Sequence, residues 1–302
     1  GLINSQIDFI ELGFLENCNY DKNRSFYPDI TVFDDAFKNI GNEHCRNRIT
    51  LMLRPDRLNI ESIKKTSNLL GSIRIAFYYE HLSLALKYAE VSRLYGYNVY
   101  FNPIVITHYS KNNLKTLISE INQFNPAGVS IVDTFGSLTI NSIHNIYDAF
   151  VLLKEDIQIG LHFHENLLHG FSLIYKFIDL FKEKQIIIDG SMYGMGRAPG
   201  NVATENIINC FNDDNKYCLD DIMLLINDII YPLKSKYKWG YSPEYYISAV
   251  YNVHRDYAEY LMKKTSDLIL IKKIIREISV CLLGSKYEKS IADKYYEKIV
   301  NL

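Results

Sequence analysis

Residues 127–163 read AGVSIVDTFGSLTINSIHNIYDAFVLLKEDIQIGLHF. Two β-branched, nearly unbroken apolar runs, Ala127–Asp133 and Ile157–Phe163, flank a stripe at Ile143, Ile146, Tyr147 and Phe150. Unbroken apolar strands are expected where both faces of a parallel sheet are buried. The stripe has the period of an amphipathic helix. Strand, helix, strand with short links is a βαβ unit. The pattern extends in both directions. Strand-like runs occur at Ile7–Gly13, Arg48–Leu53, Ser72–Phe77, Asn98–Ile106 and Gln185–Asp189. Helical stripes recur at Leu114, Leu117, Ile118 and Ile121, and at Phe171, Ile174, Ile178 and Phe181. Gly96 and Asn125-Pro126 supply helix stops. The seven strand-like runs predict an α/β fold, a TIM (β/α)8 barrel missing its first strand, because closure takes eight strands. Gly1–Ser5 reads as the tail of a helix, which places the missing unit upstream of residue 1. A doubly wound open sheet competes with this, but no G-x-G-x-x-G follows the first strand.

From Leu219 onward no strand pattern remains. Asp220–Lys234, Pro243–Lys264, Leu268–Leu283 and Lys286–Val300 read as helices, the last with mixed charge and a solvated surface. The expected division is a barrel over residues 1–212 and a helical C-terminal region over 213–302. Composition agrees with a globular chain: of 302 residues, 48% are hydrophobic and 23% charged. With 33 basic and 35 acidic residues the net charge is −2, so no global field selects nucleic acid or an anionic membrane. No apolar run approaches the ~20 residues that cross a bilayer. Cys18, Cys45, Cys210, Cys218 and Cys281 are scattered with no C-x-x-C pair. That usage suits a reduced, cytoplasmic chain.

In a parallel barrel, chemistry sits at the C-terminal strand ends. His162 and His164, in GLHFHEN (160–166), alternate with Leu161 and Phe163, so both imidazoles point to one side of their strand. Two inward imidazoles form half of a metal site; the bland alternative is a hydrogen-bonded core pair. Next comes DGSMYGMGRAPGN (189–201), whose glycines let backbone approach a metal or a phosphate. Asn201 either caps the following helix or offers its amide oxygen as a third ligand. Glu11, Arg54-Pro55 and Asp133-Thr134 close other strands. A buried carboxylate there either ties loops or serves the site.

Together these motifs resemble the DRE-TIM metallolyase superfamily, which contains HMG-CoA lyase, 4-hydroxy-2-oxovalerate aldolase and the isopropylmalate and homocitrate synthases. The resemblance runs from about Ile7 to Glu205. IDFIELG is similar to the second strand, IVDTFGS to the sixth-strand D-T-x-G segment, GLHFHENL to G-x-H-x-H-x-N, and DGSMYGMGRAPGNVATE to the glycine loop. The resemblance implies that His162, His164 and Asn201 are metal ligands for Mn2+ or Mg2+, with Zn2+ also suited to histidine. It implies catalytic roles for Glu11 and Asp133, and a substrate side formed by Thr134, Asn166 and Arg197. The family's remaining ligand and its arginine belong to a first-strand D-x-T-L-R-D-G motif, and no such string occurs in these 302 residues.

HMG-CoA lyase carries a catalytic cysteine in the glycine loop, where this chain has Met195-Gly196-Arg197. A short helical C-terminal segment suits the 4-hydroxy-2-oxovalerate aldolase-like branch, in which a post-barrel tyrosine assists proton transfer. Tyr246 and Tyr251 are the candidates. The implied function is a divalent-metal-dependent carbon–carbon lyase acting on a 4-hydroxy-2-oxo acid, with a 2-oxo acid and an aldehyde as small-molecule partners. A homo-oligomer or a partner dehydrogenase is the implied assembly. Two alternatives stay open: a synthase condensing an acyl-CoA with a keto acid, and a truncated or degenerate barrel without catalysis.

Overall fold

The computed structural model describes residues 1–40, 43–212 and 214–301. Eight strands form one sheet in the order β2-β1-β3-β4-β5-β6-β7-β8. They are β1 Ile10–Leu15, β2 Phe26–Tyr27, β3 Ile49–Leu53, β4 Ser72–Phe77, β5 Asn98–Pro103, β6 Gly128–Asp133, β7 Gln158–Phe163 and β8 Ile186–Ile188. Every pairing is parallel. The helices of the barrel are α1 Ile30–Ala36, α2 Leu82–Leu94, α3 Lys111–Phe124, α4 His144–Phe150, α5 Gly170–Leu180 and α6 Thr204–Phe211. Beyond them come α7 Leu219–Leu225, α8 Tyr231–Lys236, α9 Pro243–Val250, α10 Arg255–Met262, α11 Leu268–Val280 and α12 Lys289–Val300.

Alternation along each strand separates two environments. Leu51, Ile73, Ile75, Phe101, Ile131, Leu161 and Phe163 are buried against Leu114, Leu117, Ile118, Ile146, Phe150, Ile174 and Phe177 of the helical layer. The opposite positions face the barrel interior. The register aligns Arg74 with Tyr100, Tyr100 with Gly128 and Gly128 with Gln158, and places Val132 beside His162. That interior is polar, and it carries the chemistry.

The fold is a TIM-type barrel with one incomplete position. Phe26 and Tyr27 pair with Phe14 and Leu15, on the side of β1 away from β3. Among the described residues, these two are the ones that pair with β1 on that side. Two residues are too few for any sequence periodicity, so this strand escaped the pattern. Gly13 makes the approach feasible: its φ is +133°, and a Cβ there would sit 2.2 Å from the Ser25 carbonyl oxygen. Beside this thin position, Ile186–Ile188 of β8 are only half-buried, and the Glu11 side chain is 28% exposed although it faces inward.

Two strand ends differ from the sequence expectation. The first strand begins at Ile10, not Ile7. Arg48 donates from Nε to the Ile7 carbonyl at 2.8 Å and from Nη1 to that of Ile3 at 3.2 Å, so a side chain satisfies carbonyls that a ladder would otherwise use. β5 stops at Pro103, three residues short of Ile106. Val105 turns to φ 61°, a left-handed conformation that a β-branched residue rarely adopts, and its N–H donates to Thr134 Oγ1 at 2.7 Å.

The C-terminal helices have their own core, in which Ile247, Val253, Tyr257, Leu261, Ile271, Ile274, Ile275 and Ile278 pack together. α12 is not wholly solvated, since Ala292 and Tyr295 are buried in that core. The helix expected over Pro243–Lys264 is broken at Asn252, which has φ 52°. The break has a use. Asn252 Oδ1 accepts from Thr107 Oγ1 at 2.9 Å and Ser137 Oγ at 2.8 Å, and its carbonyl accepts from His108 Nε2–H at 2.8 Å. One residue thus fastens the helical region across the loops after β5 and β6. The helix expected over Asp220–Lys234 likewise contains a π-turn at Ile226–Ile230. Among the described residues, no helix is long and apolar enough to cross a membrane.

Gly13→Ala should lower the urea midpoint by an amount equivalent to about 3 kcal/mol, combining a Gly-only conformation with a backbone clash. Gly96→Ala is the control: φ is +85° but nothing lies within 4 Å of its Cβ, so only the strain of about 1 kcal/mol applies. Equal losses would show that the β1–β2 approach contributes nothing.

Candidate active site

Backbone strain marks the working end of the barrel. Val105, Leu168, Tyr193 and Ala198 all have positive φ, and all lie in loops after β5, β7 and β8. Strained non-glycine residues gather where surrounding structure holds a site in place. In the loop after β8, Gly200 has φ +84°, and a Cβ there would meet the Gly194 carbonyl oxygen at 2.0 Å. The same loop is held by Trp239 Nε1–H donating to the Tyr193 carbonyl at 3.0 Å.

His162 and His164 sit half-buried at this end, with ring centroids 5.1 Å apart. His162 Nδ1 lies 2.8 Å from Asp189 Oδ2, and His164 Nδ1 lies 2.9 Å from the Asp133 carbonyl oxygen. An ionised carboxylate and a carbonyl only accept, so each Nδ1 carries the hydrogen. With Nδ1 so engaged, Nε2 is the atom that each ring has left to offer a ligand. Burial, together with the charges of His162 and Arg255, depresses His164 to about 3 and keeps it neutral. Backbone bridging sets Asn201 beside His164. Asn201 does not cap α6, whose N-cap is Ala203. Its Nδ2 donates to the Met195 carbonyl at 3.2 Å, while its Oδ1 is buried without a hydrogen-bond partner.

Beneath the histidines runs a chain of charge. Arg74, inward on β4, donates from Nη1 to Glu11 Oε2 at 3.0 Å and from Nη2 to Asp189 Oδ2. Burial would raise Asp189, but the Arg74 charge and the His162 hydrogen bond hold it far below the ordinary carboxylate range. Burial raises Glu11 despite the opposing pull of Arg74. Arg74, Asp189 and Asn102 were not among the sequence candidates, although alternation carried a signal for Arg74. In SIRIAF it falls opposite Ile73, Ile75 and Phe77, a charge on an inward face. Asn102 shares the inward face with Tyr100 on β5, and its Oδ1 is buried without a partner.

The structure draws the other candidates away from the imidazoles. Asp133 faces outward: Oδ1 accepts from Ser137 N–H at 2.9 Å and Oδ2 from Leu138 N–H at 2.8 Å, which ties the loop after β6. Thr134 holds Val105, as above. Asn166 is buried and donates to the Tyr245 carbonyl at 3.4 Å, docking α9. Arg197 pairs with Asp256 at 2.9 Å and Glu259 at 2.7 Å on α10. Tyr246 is 44% exposed against Tyr241, and Tyr251 packs in the helical core. The helix turn explains this. On α9, Ile247, Ser248 and Ala249 are buried, so Tyr246 falls on the outer face. A cavity of about 820 Å³ opens beyond the glycine loop, lined by Met195, Gly196, Arg197, Trp239, Tyr245 and Glu259 among others. Neither histidine lines it.

The donor set suits a divalent cation. Two Nε2 lone pairs and an orphaned carboxamide oxygen are nitrogen and oxygen ligands, and both rings are oriented through Nδ1 as metal-bound imidazoles usually are. The set brings no negative charge. Among the described residues, no three His, Cys, Asp or Glu side chains cluster as a metal site.

A parallel barrel with strand-borne imidazoles and a carboxamide at its C-terminal face defines the class of protein. The HMGL-like family matches residues 57–215, just over half of the chain, and the chain belongs to that family. It is similar to 4-hydroxy-2-oxovalerate aldolase 2 of Mycolicibacterium smegmatis and to 4-hydroxy-2-oxovalerate aldolase of Mycolicibacterium gilvum. Each is 26% identical over 168 residues, which is 55% of this chain and 47% of the relative. The chain therefore spans about half the length of these relatives. Among solved structures, the N-terminal domain of a candidate aldolase from Bacteroides vulgatus aligns with TM-score 0.67 and 21% identity, over 89% of this chain and 90% of that one. The HMG-CoA lyase of Bacillus subtilis aligns with TM-score 0.51 and 14% identity, over 62% and 70% of the two chains. At these identities the two structures share the fold.

The placement of Asp133 sets a pH dependence. Burial raises its carboxyl to about 6 in the folded chain, so the stability it allows is complete below the unfolded value of about 3.9 and is lost as pH rises through the folded value. Metal-free protein in EDTA should lose about 2 kcal/mol between pH 4 and pH 7 relative to Asp133→Asn, which lacks this titration. Parallel urea-stability curves for the two proteins would refute this.

Proposed function

We propose that the chain is a divalent-metal-dependent carbon–carbon lyase that cleaves a 4-hydroxy-2-oxo acid to a 2-oxo acid and an aldehyde. One observation carries this: two imidazoles, each oriented through Nδ1, come from a strand bridged to Asn201, whose carboxamide oxygen is buried without a partner among the described residues. Family membership and the similarity to 4-hydroxy-2-oxovalerate aldolases support it. His162, His164 and Asn201 would hold the ion, with Mn2+ or Mg2+ matching the oxygen-rich substrate. When bound, the ion supplies Lewis acidity toward the 2-oxo group.

The chain's own groups supply the rest. Asp189 is pinned by Arg74 and keeps His162 in one tautomer and one orientation. Glu11, an inward carboxyl that burial raises, is the group assigned to proton transfer. It takes the proton of the 4-hydroxyl. The C3–C4 bond then breaks, C4 leaves as the aldehyde, and the electron pair passes toward C2. Glu11 returns the proton to C3, giving the 2-oxo acid. Asn252 and Asn166 fasten the chain around α9 to the loops after β6 and β7.

The test is release of pyruvate and aldehyde from 4-hydroxy-2-oxopentanoate with Mn2+ present. Wild type should release both in equal amounts. His162→Ala should lower turnover more than about a hundredfold with an unchanged circular dichroism spectrum, and Asp189→Asn by about 10–100-fold. Unchanged turnover in His162→Ala would overturn the proposal. One observation favours a barrel without catalysis, namely the donor set that no carboxylate completes. Metal binding without pyruvate release by wild type would select that reading.

A further inference from the structure

The cavity of about 820 Å³ beyond the glycine loop takes no part in the chemistry above, and neither the histidines nor Asn201 line it. Its volume is that of a small-molecule site. Met195, Trp239, Tyr245 and Met262 give it aromatic and thioether walls, against which a flat apolar ring packs well. Its charges do not balance. Arg197, Lys238 and Lys263 line it against one carboxylate, Glu259, which leaves an excess of two positive charges. Arg197 is spent on Asp256 and Glu259. A neighbouring lysine, Lys234, is spent on the rings of Tyr193 and Trp239, 4.4 Å and 5.1 Å from their centres. Lys238 and Lys263 are exposed, and neither ammonium group forms an ion pair among the described residues.

We propose that this cavity is a second binding site, separate from the one at the histidines, and that it takes a small aromatic carboxylate. The ring packs against Trp239 and the two methionines, and the carboxylate meets Lys238 and Lys263. The walls alone serve a neutral ring, and the two ammonium groups add a preference for an anion. The glycine loop is the partition between the two sites. Asn201 Nδ2 donates to the Met195 carbonyl at 3.2 Å, and a Cβ on Gly196 would lie 2.7 Å from the same nitrogen. Met195 and Gly196 thus touch Asn201 and also line the cavity. Trp239 holds this loop through Nε1–H on the Tyr193 carbonyl while its side chain forms part of the cavity wall. The proposal goes beyond the lyase reading and does not depend on it.

Trp239 is the one tryptophan of the chain, so its fluorescence reports occupancy of the cavity. The experiment titrates 3-phenylpropionate and the neutral 3-phenylpropionamide into metal-free wild type, the double variant Lys238→Gln/Lys263→Gln, and His162→Ala. Wild type should give a saturable change in fluorescence, with the acid bound roughly fivefold or more tightly than the amide at low salt. The double variant should bind acid and amide alike while keeping the wild-type affinity for the amide, which separates lost charge from lost fold. His162→Ala should bind the acid as wild type does. No saturable change, equal affinity for acid and amide in wild type, or an undiminished preference in the double variant would overturn the proposal. So would loss of binding in His162→Ala, which would move the ligand to the barrel mouth. Each of these outcomes leaves the lyase reading to its own test, the release of pyruvate.

Discussion

A positive charge buried inside the barrel is the constraint from which the site follows. Arg74 stands on an inward face with low-dielectric walls, and such a charge persists only when carboxylates meet it. Asp189 at the end of β8 and Glu11 on β1 meet it from two directions. Because Asp189 is shared with His162, the ion pair that stabilises the interior also fixes a ring at the mouth. Stability and chemistry are therefore linked through one carboxylate oxygen. The charges also sort themselves. The group nearest the guanidinium stays ionised, while Glu11, paired more loosely, is pushed up by burial.

A second constraint is the incomplete ring. With only Phe26 and Tyr27 beside β1, the flank between β1 and β8 is thin, and β8 is the least buried strand. The helical region reaches both sides of the barrel: Ile222 of α7 and Ile226 pack with Leu2, Ile7 and Met192. It is tied to the opposite loops, after β5 and β6, by a single asparagine in a left-handed conformation. α9 is docked by Asn166 on the Tyr245 carbonyl, and α10 by Arg197 on Asp256 and Glu259. Arg197 acts as a strut between the glycine loop and α10.

The imidazoles of β7 and Asn201 in the loop after β8 lie within the stretch that matches the HMGL-like family. The proposed donor set carries no carboxylate. The first-strand string expected to supply a carboxylate ligand and an arginine is absent from these residues, so the proposed donor set is neutral. Arg74 places a cation within the same interior, though from β4, and Asp189 places a carboxylate there that serves a ring in place of an ion. These two residues define a different electrostatic background for a similar set of ligands.

Much of this was legible in the linear chain. Seven strands, the barrel class and the common side of His162 and His164 follow from alternation and helical period, which are local properties of neighbouring residues. The partners were not legible, because a side chain's partner is set by which strands lie opposite each other across the ring. Asp133 and Asp189 both end strands in the sequence, yet one turns outward to hold a loop and the other inward to hold Arg74. Tyr246 and Tyr251 were reasonable by position, but a helix turns 100° per residue and the break at Asn252 resets its phase. The sequence determined which residues form strands and which face each presents, since pleat and period are written in short windows. The tertiary structure alone decided which charges meet, because burial turns a distance of a few ångströms between remote strands into the dominant energy.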